Sequence, residues 1–388
     1  MPARRALIIC PEAPYPLHGG GAFRTAAVLN YLSRNYETEA VFFSEATRPD
    51  PRLVLPPGLV RDSLLLRLPL HSRGKAARVW RNARRYLQGI PPLVDRFTRV
   101  AVPGALGEWL KDRHYDLTVV EHFWCAPYAP VLRPHSAKLV LDLHNVESEW
   151  HMRIAETEQW PVSAAHHRFA NASKRLEHKL LPMFDTVMVT SEREAQKLDS
   201  ASVKVYPNTI PSAPERSRPR RRQIVFSGNL EYQPNIDAVR WFGEEIWPRL
   251  QRHHPGLEWV LVGRRPEFVR RLLPTGRVRT TGEVQDAIAE IGASLAAVVP
   301  IRSGSGTRIK ILEAWAAGTP VVSTTLGAEG LPTEAMAVAD SPEAFAAKVS
   351  HLIANQEERD RLADAGRSVF NNAFTWEAGW KVLSSLGI

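Results

Sequence analysis

The sequence predicts an α/β protein with two parallel-sheet domains. Three observations carry that prediction. Short apolar runs of strand length alternate with segments of helical composition, the pattern of repeated strand–crossover–strand units. A chain of 388 residues is long for one core and comfortable for two domains of roughly 150 to 200 residues each. Midway lies Ile210 to Arg222, IPSAPERSRPRRR, with three prolines and five arginines, the composition of an exposed linker. The expected organisation is therefore a first domain over 1–205, a linker over 206–222, a second domain over 223–370 and a closing helical segment over 371–388.

Bulk composition narrows the function classes. Hydrophobic content of 44% and charged content of 23% are ordinary for a soluble globular protein. Cys10 and Cys125 give no disulfide framework and no CxxC pair, which favours a reducing cytosol. The start, MPARRALIIC, is basic and then apolar, but its apolar run ends at Pro11, so it reads as a first strand and not as a signal peptide. No run approaches the roughly 20 apolar residues of a membrane span. A cytoplasmic protein, soluble or peripheral on a membrane, is expected. The formal charge of +9 calls for nucleic acid, anionic lipid or an anionic small substrate. Nucleic acid is set aside, because the arginine run has no interleaved aromatics and no recognised binding module.

In chain order, Ala6 to Cys10 is strand-like. A Pro/Gly loop, PEAPYPLHGGGAFR, then precedes a helix from about Ala22 to Ser33. Gly19, Gly20 and Gly21 are consecutive, unlike the spaced G-x-G-x-x-G of a dinucleotide fold. Such a run lets backbone approach a ligand closely, and a plain flexible turn has the same composition. Glu39 to Ser44 reads as the second strand. Arg73 to Gln88 is a basic helix without one acid. Arg78, Arg81 and Arg85 fall on one side, Val79, Ala83, Tyr86 and Leu87 on another. That fits a helix lying on an anionic membrane surface, and equally a solvated helix packing its apolar stripe on the domain.

Leu117 to Val120 and Leu139 to Leu143 are short strands ending in Glu121-His122 and His144-Asn145-Val146-Glu147. Ligands of open parallel sheets bind beyond the carboxyl ends of strands, so these are expected site positions. Glu147 to Leu181 should be helical. Thr186 to Thr190 is a strand, followed by a capping-box pattern at Ser191 and Glu194; Val203 to Val205 closes the first half. Gln223 to Ser227 opens the second, followed by GNLEYQPNIDAVRWF entering a helix. Glu258 to Gly263 and Val278 to Gly282 are the next strands. Phe374 to Leu386 is an amphipathic closing helix.

The most informative stretch is Val298 to Gly327, VVPIRSGSGTRIKILEAWAAGTPVVSTTLG. It reads as strand, Gly/Ser loop, helix, turn and strand, with Gly318 as a left-handed end cap and Pro320 preventing continuation. A glycine-flanked loop delivering a helix N-terminus is a ready anion site, because the first amides lack helical partners and the dipole is positive there. On an ideal helix Gly306, Lys310 and Glu313 share one face. Open backbone, an ammonium and a carboxylate on one face suit a ligand with phosphates and hydroxyls. From spacing alone, a solvated Lys310–Glu313 ion pair and glycines as loop punctuation fit as well.

The stretch resembles the signature of the GT-B glycosyltransferases of family GT4, with Pro300, Gly306, Leu312, Glu313, Ala314, Ala316, Gly318, Pro320, Val321, Val322 and Thr324 on the motif. The resemblance implies two Rossmann-like parallel-sheet domains facing an interdomain cleft, and retaining transfer of a sugar from a nucleotide-diphosphate donor to a hydroxyl acceptor. It implies that Glu313 binds the donor ribose, and that Gly20 and Gly21 border the donor diphosphate. His144 matches the family's cleft histidine, with Asn145 in place of the acid that often follows, and Glu121, His122 and Asn145 are further acceptor-side candidates. Val284 falls in the segment whose backbone contacts the nucleobase.

Two departures stand out. Ser305 occupies the place of the first motif glutamate, and of the arginine and lysine that usually grip the phosphates, Asn229, after Gly228, stands at the arginine position and Pro234-Asn235 near the lysine. Because a diphosphate leaving group needs its developing charge neutralised, Arg308 and Lys310, with the amides of Gly306 and Thr307, are the expected replacements. Without a D-x-D motif, no metal and no cofactor is expected beyond the nucleotide-sugar co-substrate. A carbohydrate or lipid-linked acceptor and an anionic membrane surface are the expected partners. A nucleotide-sugar epimerase of the same fold and a non-catalytic nucleotide-sugar binder remain alternatives.

Overall fold

The computed structural model describes residues 4–17, 19–45, 47–68, 74–98, 102–198, 200–213, 219–304 and 309–388. The chain divides into two compact units, Met1–Pro207 with Trp380–Ile388, and Asn208–Gly379.

The first unit is built on seven parallel strands: β1 (Arg5–Cys10), β2 (Glu37–Glu45), β3 (Asp62–Leu68), β4 (Tyr115–Glu121), β5 (Ser136–Asp142), β6 (Thr186–Val189) and β7 (Val203–Val205). They pair in the order β3-β2-β1-β4-β5-β6-β7. Strands covered on both faces read as near-continuous apolar runs. Alternation along β1 and β2 sends Leu7, Ile9, Val41 and Phe43 into one buried cluster, and Ala6, Ile8, Cys10, Ala40 and Phe42 into the other. The second cluster also takes in Leu383 and Ile388 from the chain's end, and Trp380 donates its indole N–H to the Ala27 carbonyl at 2.9 Å.

The second unit carries β8 (Gln223–Ser227), β9 (Glu258–Val262), β10 (Val278–Gly282), β11 (Ala296–Val299), β12 (Val321–Ser323) and β13 (Ala337–Val338), in the order β10-β9-β8-β11-β12-β13. Trp247, Trp259 and Trp315 are fully buried within it. In both sheets the order turns back once, beside β1 and β4 in the first and beside β8 and β11 in the second. Such switch points open a crevice at the carboxyl ends of the strands.

Three local expectations change. The helix α1 spans Gly20–Asn35, so Gly20 and Gly21 lie in its first turn and not in the preceding loop. Gly19 alone takes a left-handed φ of +86°. The helical stretch after β5 is two helices, Glu147–Thr157 and Val162–Leu180, interrupted at Pro161, which has no amide to continue the ladder.

The third change concerns the basic helix α2 (Lys75–Gln88), whose last turn points two arginines inward. Arg85 is 5% exposed and donates to the Asp95 carboxylate at 2.7 Å, and Arg84 joins the same carboxylate at 2.7 Å. Arg78, Arg81 and Arg85 therefore do not form one exposed basic face. Val79, Trp80 and Leu87, at 66%, 67% and 73% exposed, face solvent instead. The cause is Asp95: a nearly buried carboxylate must be paired, and the nearest cations are on the neighbouring helix.

Candidate active site

At the switch point of the first unit, β4 and β5 end in two carboxylates, Glu121 and Asp142, and α1 supplies a cation between them. Arg24 Nε donates to both Asp142 oxygens at 2.9 Å, and its Nη1 reaches the Tyr206 carbonyl at 2.7 Å. The guanidinium lies 4.6 Å from the Tyr206 ring centre. The Arg24 and Asp142 side chains are 1% and 0% exposed. A buried pair survives desolvation only with several such hydrogen bonds. Neither residue stands out in the sequence, because the two are 118 positions apart.

Glu121 is wholly buried. Its Oε2 accepts from the Thr25 hydroxyl at 2.9 Å and lies 2.8 Å from His144 Nε2. Burial lifts the Glu121 carboxyl to about 7, against the Thr25 hydrogen bond and the charge of Arg24. Burial also pushes His144 down to about 4, which Asp142 opposes and Arg24 reinforces. The imidazole is therefore neutral at pH 7. Its Nδ1 faces the start of α1: a Cβ placed on Gly21 would stand 3.5 Å from that atom.

The amides of Gly20, Gly21 and Ala22 precede the first bond of α1, from Phe23 N–H to the Gly19 carbonyl. Helix starts of this kind favour anions. His122 completes the group. Its left-handed φ of +64° is unusual for a residue with a side chain. It lets the His122 amide donate to the Asp142 carbonyl at 2.9 Å, and the ring sits between His144, 3.6 Å away, and Trp124, 4.2 Å away. Asn145 follows, half-buried. Glu147, lifted to about 7 by burial, accepts from Trp124 Nε1 at 3.2 Å.

Ligand-type atoms of Glu121, Asp142 and His144 lie within 4.8 Å of one another. The set does not suit a metal ion, because the guanidinium of Arg24 already holds both Asp142 oxygens and supplies the positive charge.

The switch point of the second unit gathers a different chemistry. β8 ends at Ser227, and Gly228 takes φ +147°. A Cβ on Gly228 would meet Asn235 Nδ2 at 3.0 Å and Lys310 Nζ at 3.1 Å, so the glycine is what lets the ammonium approach the backbone here. Lys310, on the helix Ile309–Ala316, donates to Asn235 Oδ1 at 2.7 Å and lies 4.5 Å from the Phe226 ring centre. Asn235 Nδ2 donates in turn to the Asn229 carbonyl at 2.7 Å.

Glu313, nearly one turn beyond Lys310, accepts from Ser227 Oγ at 3.2 Å. Burial raises its pKa, with Ser227 and Lys310 opposing, while the residue as a whole keeps partial exposure. Val284 lies half-buried in the turn after β10. Ser305, Gly306, Thr307 and Arg308 lie outside the described residues. Asn235, which stands near the place of the family's lysine, was not among the expected site residues; its bond to Lys310 joins positions 75 apart.

Two polar clusters, one acidic and imidazole-bearing, one with an ammonium beside open backbone, stand at the two sheet switch points, where open α/β sheets take their ligands. Family comparison makes this specific. The description "Glycosyl transferase 4-like domain" matches residues 19–209, and "Glycosyl transferases group 1" matches residues 221–355. The chain belongs to the group 1 (GT4) glycosyltransferases. Its fold is that of the GT-B enzymes.

Anabaena HepE, solved with UDP and glucose, is 14% identical, with a TM-score of 0.64 over 98% of this chain and 99% of that one. WaaG, a glycosyltransferase of lipopolysaccharide biosynthesis, is 14% identical, with a TM-score of 0.62 over 98% and 99%. A mutant of S. aureus TarM, solved with fondaparinux, α-GlcNAc-glycerol and UDP, is 8% identical, with a TM-score of 0.67 over 99% of both chains. At these identities the likeness is one of fold. No curated protein matches the sequence.

Proposed function

We propose that this glycosyltransferase is a retaining enzyme that moves a sugar from a nucleotide-diphosphate donor to a hydroxyl acceptor, in the assembly of a polysaccharide, glycolipid or other glycoconjugate. The observation that carries the reading is Lys310, whose ammonium is tethered by Asn235 at the bare backbone of Gly228. A cation so placed can neutralise the diphosphate as the bond to the anomeric carbon breaks. Arg308 and the amides of Gly306 and Thr307 complete the grip, Glu313 holds the ribose, and Val284 lies by the base. The acceptor oxygen attacks on the face the phosphate leaves, and the acceptor's proton passes to the leaving phosphate oxygen. No protein nucleophile and no metal is required. His144 orients the sugar, Gly20 and Gly21 border the donor diphosphate, and His122 and Asn145 lie on the acceptor side.

UDP accompanies HepE and TarM in their structures, so a UDP-sugar is the first donor to test. The acceptor is a carbohydrate or a lipid-linked one, reached from the inner face of a membrane. Exposed Val79, Trp80 and Leu87 on α2, with exposed Arg78 beside them, fit shallow insertion into an anionic surface.

A thermal-shift screen against UDP-, GDP-, ADP- and dTDP-sugars tests the donor. A ligand at 100 times its Kd stabilises the native state by about 2.7 kcal/mol. A flat response to all four classes would reject the reading. Donor isomerisation without any acceptor would favour the epimerase.

A further inference from the structure

We propose that Glu121 is a positioning residue that holds the His144 ring as its Nε2–H tautomer, leaving the Nδ1 lone pair as the acceptor presented beside Gly21. The inference rests on His144 being the sugar-orienting group of the reading above. Glu121 is 0% exposed, so no substrate touches it, and it can act only through its partners.

A neutral imidazole carries one ring proton, and its two ends see different surroundings. Nε2 lies 2.8 Å from Glu121 Oε2, an acceptor whenever the carboxyl is ionised. That oxygen also takes the Thr25 hydroxyl proton at 2.9 Å, which fixes the carboxylate plane. Oε1 has no hydrogen-bond partner among the described residues, so the polar work of the carboxylate runs through the oxygen aimed at His144. Nδ1 faces the first turn of the 16-residue helix α1. Amide N–H groups and the positive dipole end favour a lone pair there over another N–H. Both ends of the ring therefore select the same tautomer.

A pH signature follows. The groups around Glu121 are Arg24 and Thr25 from α1, Cys10 from β1, Asp142 and His144 from β5 and its end, and His122 and Cys125 from the turn after β4, and Glu12 from the loop after β1 acts on His144. The carboxyl sits at about 7 and His144 at about 4. As pH falls through 7, Glu121 takes a proton from solvent while the ring stays neutral. The new acid donates to Nε2, the ring proton moves to Nδ1, and the acceptor lone pair is lost.

The test uses the full chain labelled with 15N-histidine, the His144 signals being those that vanish in His144→Gln. At pH 8 the proton should be on Nε2; a proton on Nδ1 overturns the proposal outright, without any variant. Glu121→Gln keeps an acceptor oxygen, and should keep the tautomer while abolishing the acid limb of kcat near pH 7. An unchanged limb would overturn the proposal, since a merely structural glutamate would not titrate into the rate. Glu121→Leu should mix the tautomers and lower kcat about 10- to 100-fold with donor KM nearly constant, by the logic of a misassigned catalytic imidazole. If the ring behaves as expected in every protein but Glu121→Leu transfers sugar at the parent rate, the tautomer assignment stands and the sugar-orienting role of His144 falls.

Discussion

Replacing Lys310 by alanine removes the cation on which the phosphate reading depends, and the expected loss can be worked from its surroundings. A unit charge about 4 Å from a phosphate oxygen is worth about 4 kcal/mol at the effective dielectric of a protein surface. Lys310 is half-buried, so solvent screens part of that. The remainder falls at the lower end of the range for deleting one charge-stabilising donor, about 2.7 to 4 kcal/mol. That corresponds to a kcat reduced about 10²- to 10³-fold.

The folded state should suffer far less. The loss includes the hydrogen bond to Asn235 and the cation–π contact with Phe226, each about 1 kcal/mol. Released nucleotide should be followed at saturating donor, with the thermal midpoint measured in parallel. Asn235→Ala keeps the charge and cuts its tether, and should cost only about 10-fold, on the scale of a misplaced but present group. A Lys310→Ala enzyme within threefold of the parent, with normal donor affinity, would refute the assignment of phosphate neutralisation to this residue.

Other outcomes follow from the same geometry. Glu313→Gln should weaken donor binding, read by calorimetry, by about 1 to 3 kcal/mol for a hydrogen bond to a charged group; an unchanged Kd would remove Glu313 from the ribose. In Gly263→Ala the new Cβ would stand 1.8 Å from the Gly228 carbonyl oxygen, at a φ of +151°, so the end of β8 must move. A destabilisation on the order of 3 kcal/mol, together with lost donor binding, is expected in a denaturant titration. Trp80→Ser with Leu87→Ser should release the protein from anionic vesicles in a flotation assay without unfolding it, since both side chains already face solvent. If the parent chain does not bind such vesicles, the membrane partner is rejected.

Much of the fold was legible because parallel strands covered on both faces leave an unmistakable record. The predicted strands at Gln223 to Ser227, Val278 to Gly282 and Val203 to Val205 match β8, β10 and β7, and the helix of the central motif ends within one residue of its expected place. The edge strand β3, with only partial burial over much of its length, gave too little alternation to be recognised. The start of α1 was misjudged because three glycines look like a loop. Glycine lowers helix stability by only about 1 kcal/mol per residue, and packing in the folded unit overcomes that.

Composition, order of elements and motif residues are local properties, and the sequence alone carried them: an α/β chain of two domains, a group 1 glycosyltransferase signature, and the identities of Lys310, Glu313 and His144. What each side chain faces is not local. The pairing of Arg24 with Asp142, the docking of His144 on Glu121, and the tether from Asn235 to Lys310 join residues 118, 23 and 75 positions apart. In α2 a single buried carboxylate, Asp95, drew Arg84 and Arg85 inward, while Val79, Trp80 and Leu87 face solvent. Hydrophobic patterning tells which residues prefer burial. A buried charge must be paired wherever the fold puts it, and only the tertiary structure reveals which preference yields.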